Sequence, residues 1–473
     1  MKLQPYPAYR DSGVPWLGQV PEHWEATTIR RYSRVFAGAT PSRAVPEYWM
    51  NGSIPWLSSG DVNMRRIYQA KQFITEAGFA ASSTKWIKPG SLVVALAGQG
   101  RTKGMVATVE CMTTCNQSLA VIEPSPKQAD YRYLAYYLES RYLDLRSLVG
   151  DGLRDGLNLE HVRSIPTPIP PLSEQHAIAR FLDHIDGRIN RAIRAKRKLI
   201  ALLNEQKQAI IHRAVTRGLD PDVPLRPSGV EWLGEVPAHW EVIRIKYLLR
   251  EVDKRSTTGQ ETLLSLRMNH GLVPHDEHFA RPGQAPTLVG YKVVHPGQIV
   301  LNRLQANNGL VFASDIDGVV SPDYAVFDAI GDVDLYYLTT LFRTPLMKHK
   351  FRVESKGLGT GTAGFLRLYT DRLGMIPVPL PPRDEQYQIM QALGAQLAGL
   401  NSTISRVERE IDLIREYRTR LIADVVTGKL DVRAAAAALP EELEEIEPEA
   451  AEDEEGDLNP EPDGQWEEET DAP

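Results

Sequence analysis

Apolar positions along the chain follow two periods. SLVVALA at 91–97 and the segments 105–109 and 119–122 are short, β-branched runs bounded by Gly or Pro, the pattern of buried strands. Segments 298–301, 309–313 and 324–327 repeat it. Leu and Tyr recur at helical spacing over 131–148 and again over 335–350, which predicts helices beside each set of strands. A third pattern is longer. Ile178, Leu182, Ile185, Ile189, Ala192, Lys196, Leu199, Leu203, Gln206 and Ile210 alternate steps of four and three. Leu393, Leu397, Leu400, Ile404, Val407, Ile411, Ile414, Arg418 and Leu421 do the same. Each seam predicts a helix of about 40 residues, roughly 60 Å long, with an apolar stripe that needs a partner. Ser173 and Glu174 suit the start of the first. The expected fold class is α+β: two globular mixed α/β domains carried by two long helices packed on each other.

The chain is duplicated. Ser12–Glu25 (SGVPWLGQVPEHWE) and Ser228–Glu241 (SGVEWLGEVPAHWE) agree at 11 of 14 positions. Ile165–Asp220 and Ile376–Asp431 agree at 19 of 56 without a gap, opening on IPTPIPPLSEQ and IPVPLPPRDEQ. The intervening segments match poorly, with only faint correspondences such as Lys88-Pro-Gly with His295-Pro-Gly and Tyr133-Leu with Tyr337-Leu. After the first long helix the chain runs LDPDVPLRPSGVEWLG, whereas the second copy stops at LDVR. The chain start, YRDSGVPWLG, supplies what is missing, so the repeat is circular and the N-terminus is expected beside residue 431.

Charge changes the picture only after it is divided. The formal net charge of −7 argues against a polyanionic partner. Glu441–Asp471, however, holds 17 acidic residues and no Lys or Arg, leaving a body with 54 basic and 44 acidic residues, a surplus of ten. The poorly matching segments are near balance, 14 basic to 11 acidic over 37–164 and 13 to 12 over 253–375. The tail is too polar to form a core and is expected to be disordered. No run of 18 apolar residues and no signal peptide is evident, and Cys111 and Cys115 have no neighbouring ligand pair. A reduced, cytoplasmic protein without a membrane partner is expected.

Catalytic patterns are lacking. No GxxxxGK[ST], HExxH, GxSxG or strand–GxGxxG–helix occurs, and the sole Asn-Pro lies in the acidic tail. A binder rather than an enzyme is expected, with no catalytic, cofactor or metal residues of its own. Candidate contacts lie in polar loops after predicted strands. Gln99, Arg101, Thr102 and Lys103 stand in AGQGRTKG; Asn302, Arg303, Gln305, Asn307 and Asn308 stand in NRLQANNG. These side chains suit phosphate oxygens and purine edges, Asn and Gln for adenine and Arg for guanine. Trp56, Ser58, Ser59 and Asp61 occupy the place of Leu264–Arg267 in the other copy, so these and Arg267 are candidates, as is Arg154. A basic cluster of Lys348, Lys350, Arg352 and Lys356 joins them. Arg188, Arg191, Arg194 and Lys198, in a run with Lys196 and Arg197, offer phosphate or a partner subunit one face of the first long helix.

These residues resemble those of the specificity subunit of type I restriction–modification systems. The resemblance rests on the two SGVxWLGxVPxHWE segments, IPxPxPPxxEQ before each long helix, GLD after the first, and GVVSPDYAVF at 318–327. It covers roughly residues 10–431 and leaves the acidic tail outside. It implies target-recognition domains at 37–164 and 253–375, each reading half of a split site in double-stranded DNA. Conserved regions at 165–220 and 376–431 would form an antiparallel coiled coil whose length sets the spacer. Residues 1–36 and 221–252 would complete a circular pseudo-two-fold repeat, with an acidic tail at 432–473. The resemblance also implies two methyltransferase subunits and restriction subunits as partners. S-adenosylmethionine, ATP and Mg²⁺ would belong to those partners, with none held by this chain. Two other readings remain: a specificity subunit of a methylation-only system, which neighbouring coding sequences would reveal, and a coiled-coil scaffold without DNA binding, which would show no salt-dependent duplex binding.

Overall fold

The computed structural model describes residues 3–98, 101–148, 156–268, 270–278, 287–358 and 365–440. Gln99, Arg154 and the acidic tail beyond 440 lie outside the described residues. Five helices set the frame: α1 (Tyr131–Ser140), α2 (Leu172–Arg217), α3 (Leu335–Phe342), α4 (Pro345–Glu354) and α5 (Arg383–Val426). Two compact units divide the chain, one holding residues up to Arg194 and from Ile411 on, the other Ala195–Glu410.

In the first unit the β-branched runs form a five-stranded sheet in the order Ser33–Ala37, Leu119–Pro124, Ser91–Ala95, Val106–Val109, Arg66–Ile67. Its last pair is parallel and the others antiparallel. The second unit has a four-stranded antiparallel sheet ordered Leu249–Val252, Tyr324–Ala329, Ile299–Asn302, Val311–Ala313. The strands expected near 91, 105, 119, 298, 309 and 324 are thus present, displaced by one or two residues at most ends.

The two helical patterns beside the sheets break where local chemistry requires it. The first splits into α1 and a helix at Tyr142–Ser147, with Arg141 between them at φ −101 and ψ 10. The second splits because Pro345 excludes the helical conformation at the residue before it. Thr344 is extended at φ −68 and ψ 151, caps α4 by accepting from the Met347 N–H, and leaves Pro345 at the first helical position.

Repeated motifs have equivalent jobs in each unit. Pro166–Ile169 pairs antiparallel with Glu25–Thr28, and Pro377–Leu380 with Glu241–Arg244; prolines are tolerated because each pair is a two-stranded ribbon. The Gln of each EQ pair closes the turn before its long helix. Gln175 Nε2 donates to the Pro170 carbonyl at 2.8 Å while its Oε1 accepts from Asp130 N at 2.8 Å; Gln386 does the same with Pro381 (2.8 Å) and Asp334 (2.7 Å). Tyr133 donates to the carbonyls of Pro168 and Val426, and Tyr337 to those of Pro379 and Val215. Each buried hydroxyl therefore satisfies a carbonyl in the last turn of a long helix. Gly428 and Gly218 follow those turns at φ +79 and +78. A Cβ on Gly428 would sit 2.3 Å from Pro21 and 3.0 Å from Trp24; on Gly218 it would sit 3.4 Å from Trp240. The chain start closes the first unit: Gln4 bridges Asp431, and Tyr6 donates to buried Glu174, which also accepts from the Trp24 indole.

The long helices bury opposite ends of each other's stripe within the units. Ile178 and Leu182 share a core with Leu421, Ile422 and Val425 in the first unit. Ala214 and Val215 share one with Ile389 and Leu393 in the second. The seam expected on α5 matches the burial of Leu393, Ile404, Val407, Ile411 and Leu421. On α2 the expected seam slips by one residue after Ile189. Ile193 is buried, whereas Ala192, Leu199 and Gln206 are exposed. A strict heptad drifts against 3.6 residues per turn, and Ile193, four after Ile189, continues the face.

Candidate nucleic-acid interface

In the second unit, the strand Ile299–Asn302 delivers the polar loop. Asn302 is buried and its Oδ1 accepts from Leu304 N at 3.0 Å, so it shapes the loop. A 3₁₀ turn, Ala306–Asn308, ends on Gly309 at φ 85. Helix α4 packs on this turn and lays Lys348 across it: a Cβ on Gly309 would fall 2.4 Å from Lys348 Cε. Gln305 and Asn307 are half-buried, Asn308 is exposed, and Asn307 donates to Asn308 Oδ1 at 3.3 Å.

Two cations meet here. Burial, and then the neighbouring Arg343 guanidinium, hold the Lys348 ammonium below the ordinary lysine range. Arg343 is also lowered by burial; it stacks on Phe312 at 4.2 Å and donates to the Met268 carbonyl at 3.2 Å. Neither forms an ion pair among the described residues. Two partly desolvated like charges raise each other's cost, and an anion between them would relieve it. Arg343 was not among the sequence candidates.

Arg303 is a correction. It is turned inward, donating to Glu251 and to Thr370 Oγ1, with Lys292 on the same carboxylate at 3.1 Å. Burial would raise Glu251, but Thr370, Arg303 and Lys292 together hold it below the usual carboxylate range. Arg303 thus balances a partly buried acid instead of facing outward. Lys350 pairs with Glu354 at 2.6 Å, one turn along α4. Arg352 and Lys356 are exposed, and Arg267 is half-buried at the end of its strand, Leu264–Arg267.

In the first unit, Trp56 and Asp61 are interior residues. Trp56 is 1% exposed; its indole donates to the Ala39 carbonyl at 3.1 Å and meets Trp49 edge-on. Arg43, missed in the sequence, is exposed and lies over Trp49 at 4.6 Å and Trp56 at 5.7 Å. Trp56 therefore braces the loop that presents a cation. Asp61 Oδ2 accepts from both the backbone N (2.7 Å) and the hydroxyl (2.9 Å) of Ser58, closing a capping box; Ser59 is half-buried in the turn that follows. Lys103 is buried and Thr102 half-buried; Arg101 is exposed, and its carbonyl accepts from Tyr142 OH at 2.7 Å.

An ion network ties this unit's sheet domain to its helices. Glu139, at the end of α1, accepts from Arg65 at 2.6 Å and Arg418 at 2.7 Å; Arg418 also meets Asp186 at 2.8 Å. Asp183 accepts from Arg66, Arg132 and Tyr136. Burial would raise Glu139, but Arg65 and Arg418 outweigh it and hold the carboxyl at about 2. With Tyr133 and Tyr337 aligned, Glu139 corresponds to Arg343, and with the long helices aligned Asp183 and Asp186 correspond to Gly394 and Leu397. The charge inversion at one aligned position is the sequence signal that singles out Arg343.

Arg188, Arg191, Arg194 and Lys198 are all exposed on α2, while Lys196 turns to Glu410 at 2.5 Å. Among the described residues no His/Cys/Asp/Glu group is arranged to hold a metal, and no helix is long and apolar enough to cross a membrane. Cys111 and Cys115 are free thiols, and burial pushes Cys115 up to about 12.

Residues 21–199 match the family model of the type I restriction modification DNA specificity domain. The chain is 27% identical over 194 residues to the EcoR124I/EcoR124II specificity subunit of Escherichia coli, covering 40% of this chain and 47% of that one. It is 23% identical over 442 residues to the MjaVIII specificity subunit of Methanocaldococcus jannaschii, covering 88% and 95%. A solved chain from work on complex assembly and conformational transition of the type I R-M system superposes with a TM-score of 0.62 at 15% identity, covering 87% and 99%; this likeness concerns the fold.

Proposed function

For a chain whose residues 21–199 belong to the type I restriction–modification DNA specificity family and which as a whole resembles its specificity subunits, we propose the role of a non-catalytic reader of a split DNA site. Each unit reads one half through its sheet domain. The long helices form an antiparallel coiled coil that sets the gap, within a circular pseudo-two-fold repeat. The observation that carries the reading is the Lys348–Arg343 pair, two half-buried cations beside a loop of Asn and Gln with no counter-ion among the described residues. Phosphate supplies the missing charge, and the amides of Gln305, Asn307 and Asn308 stand beside it with the donor and acceptor pairs that adenine edges require.

Methyl transfer, cleavage and translocation belong in this reading to partners: two methyltransferase subunits docked on the conserved regions, and restriction subunits. S-adenosylmethionine, Mg²⁺ and ATP serve those partners. Methylation-aware sequencing of DNA from cells carrying this chain with its methyltransferase partner tests the proposal. A split motif with a fixed gap is expected; a continuous short motif, or no duplex binding by the purified complex, overturns it.

A further inference from the structure

A basic stripe on α2 and the point where the chain leaves the first unit lie on the same helix. The short helix Arg433–Ala437 buries Ala435 and Ala436 in that unit's core, and Arg180 on α2 donates to the carbonyls of Leu439 (2.9 Å) and Pro440 (2.8 Å). The last described residue is therefore fastened to α2 at Arg180. From there the sequence continues Glu441-Glu-Leu-Glu-Glu-Ile-Glu, the start of a segment with 17 acids and no base. Along the helix, Arg188 and Arg194 follow about 12 and 21 Å beyond Arg180, and Arg191 and Arg194 lie within about 40° of its azimuth. No acidic residue interrupts α2 between 187 and 204. An extended chain advances about 3.3 Å per residue, so the first eight or nine residues of the tail span the stripe.

We propose that the acidic segment from Glu441 lies along the Arg188–Arg191–Arg194 face of α2 as an intramolecular polyanion. It occupies the one long basic run of the shared helices and keeps nucleic-acid phosphate away from a surface that carries no sequence information. Non-specific affinity then falls while the recognition surfaces stay open. This consequence rests on the DNA-reading proposal; the docking does not.

His184, half-buried one turn after Arg180, reports on the docking independently of DNA. Burial and then Arg188 and Arg191 lower its imidazole. A polyanion on that face cancels part of the arginine field, so His184 titrates at higher pH with the tail than without it. The experiment compares the full chain with one ending at Pro440, selectively labelled at histidine, by NMR titration at low and high salt. A higher His184 pKa in the full chain, collapsing in high salt, supports docking. An identical pKa in both chains overturns it. Adding a synthetic 441–473 peptide to the truncated chain should restore the shift, and a peptide with Glu and Asp replaced by their amides should not; equal effects of both overturn it too. In the assembled complex, truncation should tighten binding to a non-specific duplex about tenfold at low salt and do so far less in the R188E/R191E/R194E background. Equal tightening in both backgrounds places the tail elsewhere, and tightening in neither, with the His184 shift intact, overturns the shielding role alone.

Discussion

At the residue scale, side chains of the same type divide by their partners. Lys348 and Arg343 are half-buried cations without an acid, whereas Arg303 and Lys350 are committed to Glu251 and Glu354. Lys348→Gln should therefore lower duplex affinity of the assembled complex several-fold and reduce the slope of log affinity against log salt by about one. An unchanged slope in filter-binding or anisotropy titrations overturns the assignment. Glu139 gives the converse case. Its folded-state carboxyl is held at about 2, below its unfolded value, so the stability it contributes is present above the unfolded pKa and is lost as pH falls from about 4.5 toward 2. Because its side chain is partly exposed, Glu139→Gln should cost about 1–2 kcal/mol at neutral pH in urea unfolding, after discounting for solvent, and should flatten the acid limb. An equally steep acid limb in the variant contradicts the network.

At the element scale, the helices and strands were legible because their periods are local. The departures were also local: Pro345 broke a continuous reading of 335–350, and the α2 seam passed from Ile189 to Ile193 because a heptad does not keep step with 3.6 residues per turn. If the long helices set the spacer, one heptad added to each lengthens it by about 10 Å, or about three base pairs. Methylation sequencing should then show both half-motifs unchanged and the gap widened by about that amount; an altered half-motif counts against a purely geometric spacer.

At the scale of the whole molecule, circular order joins the two chain ends in one unit. Gln4 bridges Asp431, Tyr6 and Trp24 both donate to Glu174, and Tyr133 reaches Val426. Deleting residues 1–8 removes a buried aromatic ring and one donor to a buried carboxylate. The first unit should lose about 3 kcal/mol, read as an earlier unfolding transition, with the second unaffected. Coincident loss of both transitions overturns the division.

The sequence by itself determined the elements, the duplication, the closure of the N-terminus on residue 431 and the division of charge between body and tail, because periodicity, repeat order and composition are properties of the chain. It named the polar loops as candidates but did not sort their members. Trp56 and Lys103 are interior, Arg303 faces an acid, and Arg43 and Arg343 come forward from segments with no motif. That sorting depended on which side chains distant segments bring into contact. Burial and ion pairing are settled by neighbours as far apart as Glu139 and Arg418, so only the tertiary structure decided them.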